Sequence, residues 1–263
     1  MREWDAGAYH QISNPQFAMA VPVLARLPLR GDEIVLDVGC GTGRVTELLI
    51  ERLPHGKVIA VDVSSNMLNT AREYLSPAYG QRVTYVQADA AALPLAEVTD
   101  AIFSTASFHW VLDHQALFHS LFAALEPGGR LVAQCGGGPN LQRIHLRSDA
   151  LMHGAEFAPY FPNWREPWEF ADADTTARRL EAAGFMDINA WIEPSPIVQP
   201  DAETFATFLT NVILRHHLSR LPTRELQQAF VAHITALAAA DTPAFELDYW
   251  RLNIDARRPL LAA

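Results

Sequence analysis

Cysteine is scarce: Cys40 and Cys135 are the two among 263 residues. Two thiols make no disulfide framework, and no His/Cys/Asp/Glu group falls at the spacing of metal ligands, so neither a disulfide scaffold nor a metal centre is expected. A reducing, cytoplasmic setting follows as an expectation. Positive charge is also scarce, with 20 Lys and Arg against 30 Asp and Glu and a net charge of −10. That balance argues against a nucleic acid as the main partner. It leaves room for a small acidic ligand in a local basic pocket. No apolar run is long enough to span a bilayer, so no membrane partner is expected. The opening Met1-Arg2-Glu3-Trp4-Asp5 has no signal-peptide character. What is present is half apolar residues, 49%, and 19% charged ones. That is the composition of a globular protein with a sizeable core, here expected to be one α/β domain of 1–263.

Short apolar runs alternate with helical patterns over the first two-thirds of the chain, the βαβ signature of a parallel sheet covered on both faces. Asn14-Pro15 opens a helix, with Pro22 expected to kink it, and 1–29 reads as an N-terminal helical cap. Strands are predicted at 33–38, 57–61, 83–87, 101–104, 130–135 and 187–192. Helices are predicted after Gly43, from a cap at Ser65, over 114–125 and from Thr175 to a stop at Gly184. Segment 136–172, with Pro139, Pro159, Pro162 and Pro167 and many aromatics, reads as an irregular insertion. A second insertion, 200–240, is predicted to hold helices at 205–217 and 223–239. The alternation Phe245, Leu247, Tyr249, Arg251, Asn253 reads as a last strand. Both insertions are expected to act as lids.

The sharpest local signal is Gly39-Cys40-Gly41-Thr42-Gly43, between a buried strand and a helix. Glycines there tolerate positive φ and admit a ligand close to the backbone, and the helix N-terminus beyond offers free N–H groups. A dinucleotide fingerprint needs G-x-G-x-x-G, but the third glycine comes one residue early and Arg44 stands in its place. Asp37 precedes the turn. Asp62 ends the next strand, where such folds place an acid for ribose hydroxyls.

The segment from Glu33 to Gly43 resembles motif I of the class I S-adenosylmethionine-dependent methyltransferases. Val61-Asp62-Val63-Ser64 and Gln87-Ala88-Asp89-Ala90 resemble the next two cofactor motifs, and Leu125-Glu126-Pro127-Gly128-Gly129-Arg130-Leu131 resembles the turn before their fifth strand. The resemblance covers about 30–195. It implies a Rossmann-like α/β fold: a seven-stranded, mostly parallel sheet with helices on both faces and a last strand, 244–255, inserted antiparallel. It implies S-adenosyl-L-methionine as cofactor. At matching positions, Asp37, Gly39, Cys40, Gly41 and Gly43 would serve the methionine portion and Asp62 the ribose. Val63 or Met67 would pack on adenine, with a core methionine the alternative for Met67. Asp89 and the Ala90 amide would meet the adenine amino group. Ser104 and Tyr9 complete the cofactor set, Tyr9 either closing over the methionine end or standing on the surface.

Ser104-Thr105-Ala106-Ser107-Phe108-His109-Trp110-Val111-Leu112-Asp113-His114 is similar to the segment after strand four in trans-aconitate, malonyl-carrier-protein and insect juvenile hormone acid methyltransferases, all of which methylate carboxylates. Trp4-Asp5 with Tyr9 also resembles the first of these. Asn14-Pro15-Gln16 resembles an Asn-x-x-Gln region of the last, which implies that Gln16 and Trp110 position the substrate carboxyl. A carboxylate is ionised at neutral pH and needs no base, whereas a phenol or alcohol would want a base or a metal. The expected activity is therefore methyl ester formation on a small molecule. Carbon or oxygen methylation of an aromatic or isoprenoid metabolite, or cofactor binding without transfer, are the alternatives. His109 is the one base candidate at the mouth of strand four, or a packing histidine. Trp110 is read as a pocket wall. Phe157, Tyr160, Phe161, Trp164 and Trp168 are read either as lining an apolar substrate pocket or as packing on one another. Arg143, Arg147, Arg165 and Arg215 are candidate carboxylate anchors or surface arginines. A monomer or homodimer is expected.

Overall fold

The computed structural model describes residues 14–261, with side chains from Met19 onward. Trp4, Asp5 and Tyr9 lie outside the described residues, as does the side chain of Gln16. In chain order the elements are α1 (Asn14–Leu24), β1 (Ile34–Val38), α2 (Arg44–Glu51), β2 (Lys57–Asp62), α3 (Ser65–Tyr79), β3 (Val83–Gln87), β4 (Thr99–Thr105), α4 (His114–Ala124) and β5 (Leu125–Gly136). They continue with α5 (Gln142–His153), α6 (Ala173–Ala183), β6 (Met186–Pro194), β7 (Ile197–Val198), α7 (Ala202–Phe208), α8 (Arg215–Leu218), α9 (Arg224–Ala238), β8 (Glu246–Leu247) and β9 (Trp250–Arg257).

Two compact units divide the chain. The first comprises Met1–Gly138, Trp168–Ile192 and Leu252–Ala263. Its sheet has the order β3-β2-β1-β4-β5-β9-β6, mostly parallel with one antiparallel strand. The near-continuous apolar runs of β1, β2 and β4 suit strands covered on both faces. Residues on β1 alternate accordingly: Leu36 and Val38 join Phe118, Leu121, Leu180 and Leu252 on one face, while Val35 joins Leu49, Leu53 and Leu75 on the other. From β1 the chain winds one way to β2 and β3, then crosses back to β4. The carboxyl ends of β1 and β4 therefore flank the switch in winding direction, where open α/β sheets bind ligands.

The second unit comprises Pro139–Pro167 and Glu193–Arg251. Its core gathers Ile144, Met152, Phe157, Phe161, Phe205, Phe230 and Ile234. No helix among the described residues is long and apolar enough to cross a membrane.

Several boundaries move from expectation. Ser64, not Ser65, caps α3, its hydroxyl accepting from Met67 N at 3.3 Å. β4 begins at Thr99, and β5 begins at Leu125 because the Pro127-Gly128-Gly129 turn is taken up as a bulge between Thr99 and Ala101 in the β4–β5 register. The segment expected to be irregular contains α5. The helix expected over 205–217 is broken by a π-turn at Leu209–Ile213 into α7 and α8. The final alternating run is two elements: β8 pairs with β7 in the second unit, and β9 enters the large sheet.

Candidate active site

The 39–43 turn leaves β1 and is tied to the end of β2, where Gly39 N and Cys40 N donate to Val61 O at 2.8 and 3.0 Å. Gly39 has φ 75°, and a Cβ there would stand 2.0 Å from Ser107 Oγ in the segment following β4, so only glycine fits. Gly41 has φ 55°, but nothing lies within 4 Å of where its Cβ would point. The turn is thus closed against protein on one side and open on the other. Gly43 (φ 87°) lets α2 approach Ala71 and Leu75 of α3.

Carboxylates stand at the ends of β1, β2 and β3. Asp62 accepts from Gly41 N at 3.0 Å through one oxygen and from Ser64 N at 2.9 Å through the other. It therefore joins the glycine turn to the start of α3. Asp37, 2% exposed, accepts from the Thr46 hydroxyl at 2.6 Å. Burial, with the Asp62 charge adding, pushes its pKa up to about 7 against the opposing pull of Thr46. Burial and both carboxylates push the Cys40 thiol well above its ordinary value, which removes it as a nucleophile at neutral pH. Asp89 is exposed and caps the short turn Ala90–Ala92, accepting from Ala91 N at 2.9 Å. Val63 is 45% exposed and Met67 4%, so Val63 presents surface and Met67 packs inside. Ser104 is 1% exposed, and its hydroxyl donates to Val38 O at 2.7 Å inside the sheet.

Beyond β4 the chain turns at Ala106 (φ 55°) and forms the short helical turn Phe108–Trp110. His109 Nδ1 accepts from Gly136 N at 3.3 Å. Its ring lies 4.9 Å from Trp110 and 5.7 Å from Phe170, centroid to centroid. Trp110 meets Trp168 edge-on at 6.3 Å, and Trp168 stacks on Phe170 at 5.7 Å.

The residues predicted for the site thus fall at the carboxyl ends of β1, β2, β3 and β4, apart from Tyr9 and the Gln16 side chain, which are not described. The aromatic stretch is not one wall. Phe157, Phe161 and Trp164 pack with His217 and Phe230 in the second unit, whereas Trp168 joins Trp110 in the first. Two of the proposed arginine anchors are held by the chain's own acids: Arg143 by Asp241, Glu246 and Asp248, and Arg147 by Asp241. Arg165 is exposed and Arg215 half-buried. Thr46, Ser107 and Phe170 were not singled out in the sequence. Thr46 and Ser107 meet the motif through tertiary contacts nine and 68 residues from their partners, with no local signature.

Residues 35–129 match the family model described as a methyltransferase domain. Over 254 residues the chain is 31% identical to a trans-aconitate 2-methyltransferase of Rhodopseudomonas palustris, covering 92% of this chain and 93% of that one. It is 40% identical over 196 residues to a trans-aconitate 2-methyltransferase of Paracidovorax citrulli, covering 74% of this chain and 69% of that one. The chain belongs to the class I S-adenosylmethionine-dependent methyltransferases. In fold, the methyltransferase is similar to phosphoethanolamine N-methyltransferase 2 of Haemonchus contortus, solved with phosphomonomethylethanolamine and S-adenosylhomocysteine. The TM-score is 0.62 at 19% identity, over 97% of this methyltransferase and 57% of that chain. The cofactor of this methyltransferase is S-adenosylmethionine. Among the described residues no group of three or more His, Cys, Asp or Glu is placed to hold a metal ion.

Proposed function

We propose that this methyltransferase methylates a carboxylate oxygen of a small unsaturated polyacid of the trans-aconitate type, releasing a methyl ester. The relatives' names support the substrate class. The observation that carries the chemistry is the hydrogen bond from Gly136 N–H to His109 Nδ1. It commits that nitrogen as acceptor, so the neutral ring keeps its proton on Nε2. A histidine held this way donates a hydrogen bond and does not take up a proton from the acceptor. That suits a nucleophile already ionised at neutral pH. The net charge of −10 supports a small molecule over a nucleic acid.

The residues around the turn fit S-adenosylmethionine. A cationic ligand suits a turn held by the Asp62 carboxylate and open over Gly41. We assign Asp37 and the amides of the 39–43 turn to the methionine end and Asp62 to the ribose hydroxyls. Asp89, the Ala90 amide and Val63 go to the adenine. When bound, the cofactor supplies an electrophilic methyl on a sulfonium, a good leaving group. The protein's part is to hold the acceptor in line, which can provide about 7 kcal/mol or more of the barrier reduction. We assign His109 and Trp110, at the mouth of β4, to orienting the acceptor carboxylate.

The test is a panel of di- and tricarboxylic acids incubated with methyl-labelled S-adenosylmethionine and read by mass spectrometry. The expected product carries one labelled methyl and loses it in alkali. A base-stable methyl product overturns ester formation, and calorimetry without S-adenosylhomocysteine binding overturns the site.

A further inference from the structure

We infer that His114, Glu169 and Arg179 are positioning residues for methyl transfer, joined in one hydrogen-bonded chain that holds the Phe108–Trp110 turn at the mouth of β4. The inference rests on the reading that this turn faces the acceptor.

Two successive carbonyls of the turn are held from outside it. Phe108 O is met by His114 Nε2 at 3.0 Å, and His109 O accepts from Glu169 N at 2.8 Å. The two holders are themselves joined. Arg179 donates through Nη1 and Nη2 to Glu169 Oε1 at 3.0 and 3.1 Å, and its Nη1 stands 3.4 Å from His114 Nδ1. The residues flanking Glu169 complete the grip, with Trp168 against Trp110 and Phe170 against His109. His114 on α4 and the residues of the 168–170 segment and α6, 54 or more positions further along the chain, thus converge on one three-residue turn.

The partners also decide the protonation state. A carbonyl only accepts, so His114 Nε2 carries a hydrogen; a guanidinium only donates, so Nδ1 must offer its lone pair. His114 is therefore held neutral. Burial is the main cause of its lowered pKa and the Arg179 charge adds to it, while the Phe108 carbonyl, Glu169 and Asp113 work the other way. His114 is 2% exposed at the first position of α4, where a helix N-terminus also disfavours a cation. A proton on Nδ1 would point at the guanidinium and break the chain.

The test compares four variants in steady-state kinetics with the methyl acceptor and in calorimetry with S-adenosylhomocysteine. Arg179→Met and His114→Leu are expected to lower kcat/KM by about 10- to 100-fold, the scale on which small misplacements act. Cofactor affinity should stay within about twofold, since neither residue touches the glycine turn. His114→Gln, which can still donate to Phe108 O and accept from Arg179, should retain activity. The unmodified enzyme is expected to lose kcat/KM on the acid side as His114 takes up a proton, and His114→Gln is expected to lose that fall. Unchanged kcat/KM in His114→Leu overturns the inference, as does a His114→Gln no better than His114→Leu. If Arg179→Met does not fold, the two His114 variants decide. Trp110→Ala separates the two levels. Full activity there overturns the reading of the turn and this inference with it. A disabled Trp110→Ala beside a fully active Arg179→Met overturns this inference alone.

Discussion

Gly39 and Gly41 sit two residues apart, both at positive φ but with opposite surroundings, and that difference is measurable. A methyl at Gly39 collides with Ser107, while a methyl at Gly41 enters open space. Both variants bear the cost of a left-handed alanine, about 1–2 kcal/mol. Gly39→Ala should lower stability well beyond that, and Gly41→Ala should stop there and yet lose S-adenosylhomocysteine binding by at least tenfold. Thermal melts with calorimetry on both check it; equal stability losses would refute the contrast. Asp37 offers a second test at this scale. Its pKa is raised from 3.8 to about 7 in the folded protein, so the folded state favours the protonated form. Its contribution is fully present below pH 4 and is lost as pH rises through 7. Asp37→Asn should therefore become progressively more stable than the parent as pH rises from 5 to 8, by about 3 kcal/mol over that range. Denaturant melts across that range read the difference directly.

Among the helices, α5 is the one that the sequence pattern does not announce, and its buried face explains why. Ile144, Ser148 and Met152 point inward at four-residue spacing, so a serine interrupts the apolar stripe that marks an amphipathic helix. Leu146, which would strengthen a helical pattern on another face, is 63% exposed. The Ser148 hydroxyl is buried and has no hydrogen-bond partner among the described residues. Burying such a group costs about 1–3 kcal/mol. Ser148→Ala should consequently raise the urea midpoint, by an amount corresponding to about 1 kcal/mol, without altering cofactor affinity. A lowered midpoint would mean that the hydroxyl is satisfied after all.

At the scale of the whole molecule, the buried histidines of α5 and α8 and the buried Asp37 of β1 are expected to respond to acid in opposite senses. In the second unit, burial lowers His145 to about pH 4; burial, with His145 and His216 nearby, lowers His217 to about 3. His217 lies among Trp164, Phe161 and Phe230 with ring centroids 4.6–6.3 Å away. Histidines held neutral contribute stability above their ordinary value of 6.5, and lose it as pH falls. Asp37 in the first unit gains over the same interval. Hydrogen-exchange protection factors compared at pH 7 and pH 5 should fall in α5, α8 and α9 and hold or rise in β1 and α2. His217→Phe should flatten the first change. A uniform change across both units would contradict this division.

Much of the first unit was legible because its signals are local. The left-handed glycines, the acid before the turn, the apolar strands and the caps each depend on residues a few positions apart, and near neighbours alone decide whether such a segment turns or extends. The sequence by itself therefore determined the order of strands and helices through α4, the glycine turn after β1, and the acids Asp37, Asp62 and Asp89 at the ends of β1, β2 and β3. Tertiary structure decided what depends on partners distant in the chain. It set Arg143 and Arg147 against Asp241, Glu246 and Asp248, although each arginine alone looked available to a carboxylate ligand. The aromatic stretch was divided between two units, and β8 parted from β9. His114, Glu169 and Arg179 were drawn around one turn. In each case the deciding energy is a charge pair, a buried ring contact or a hydrogen bond across tens of residues. No spacing along the chain encodes it, because the loop between the partners can have any length at little entropic cost.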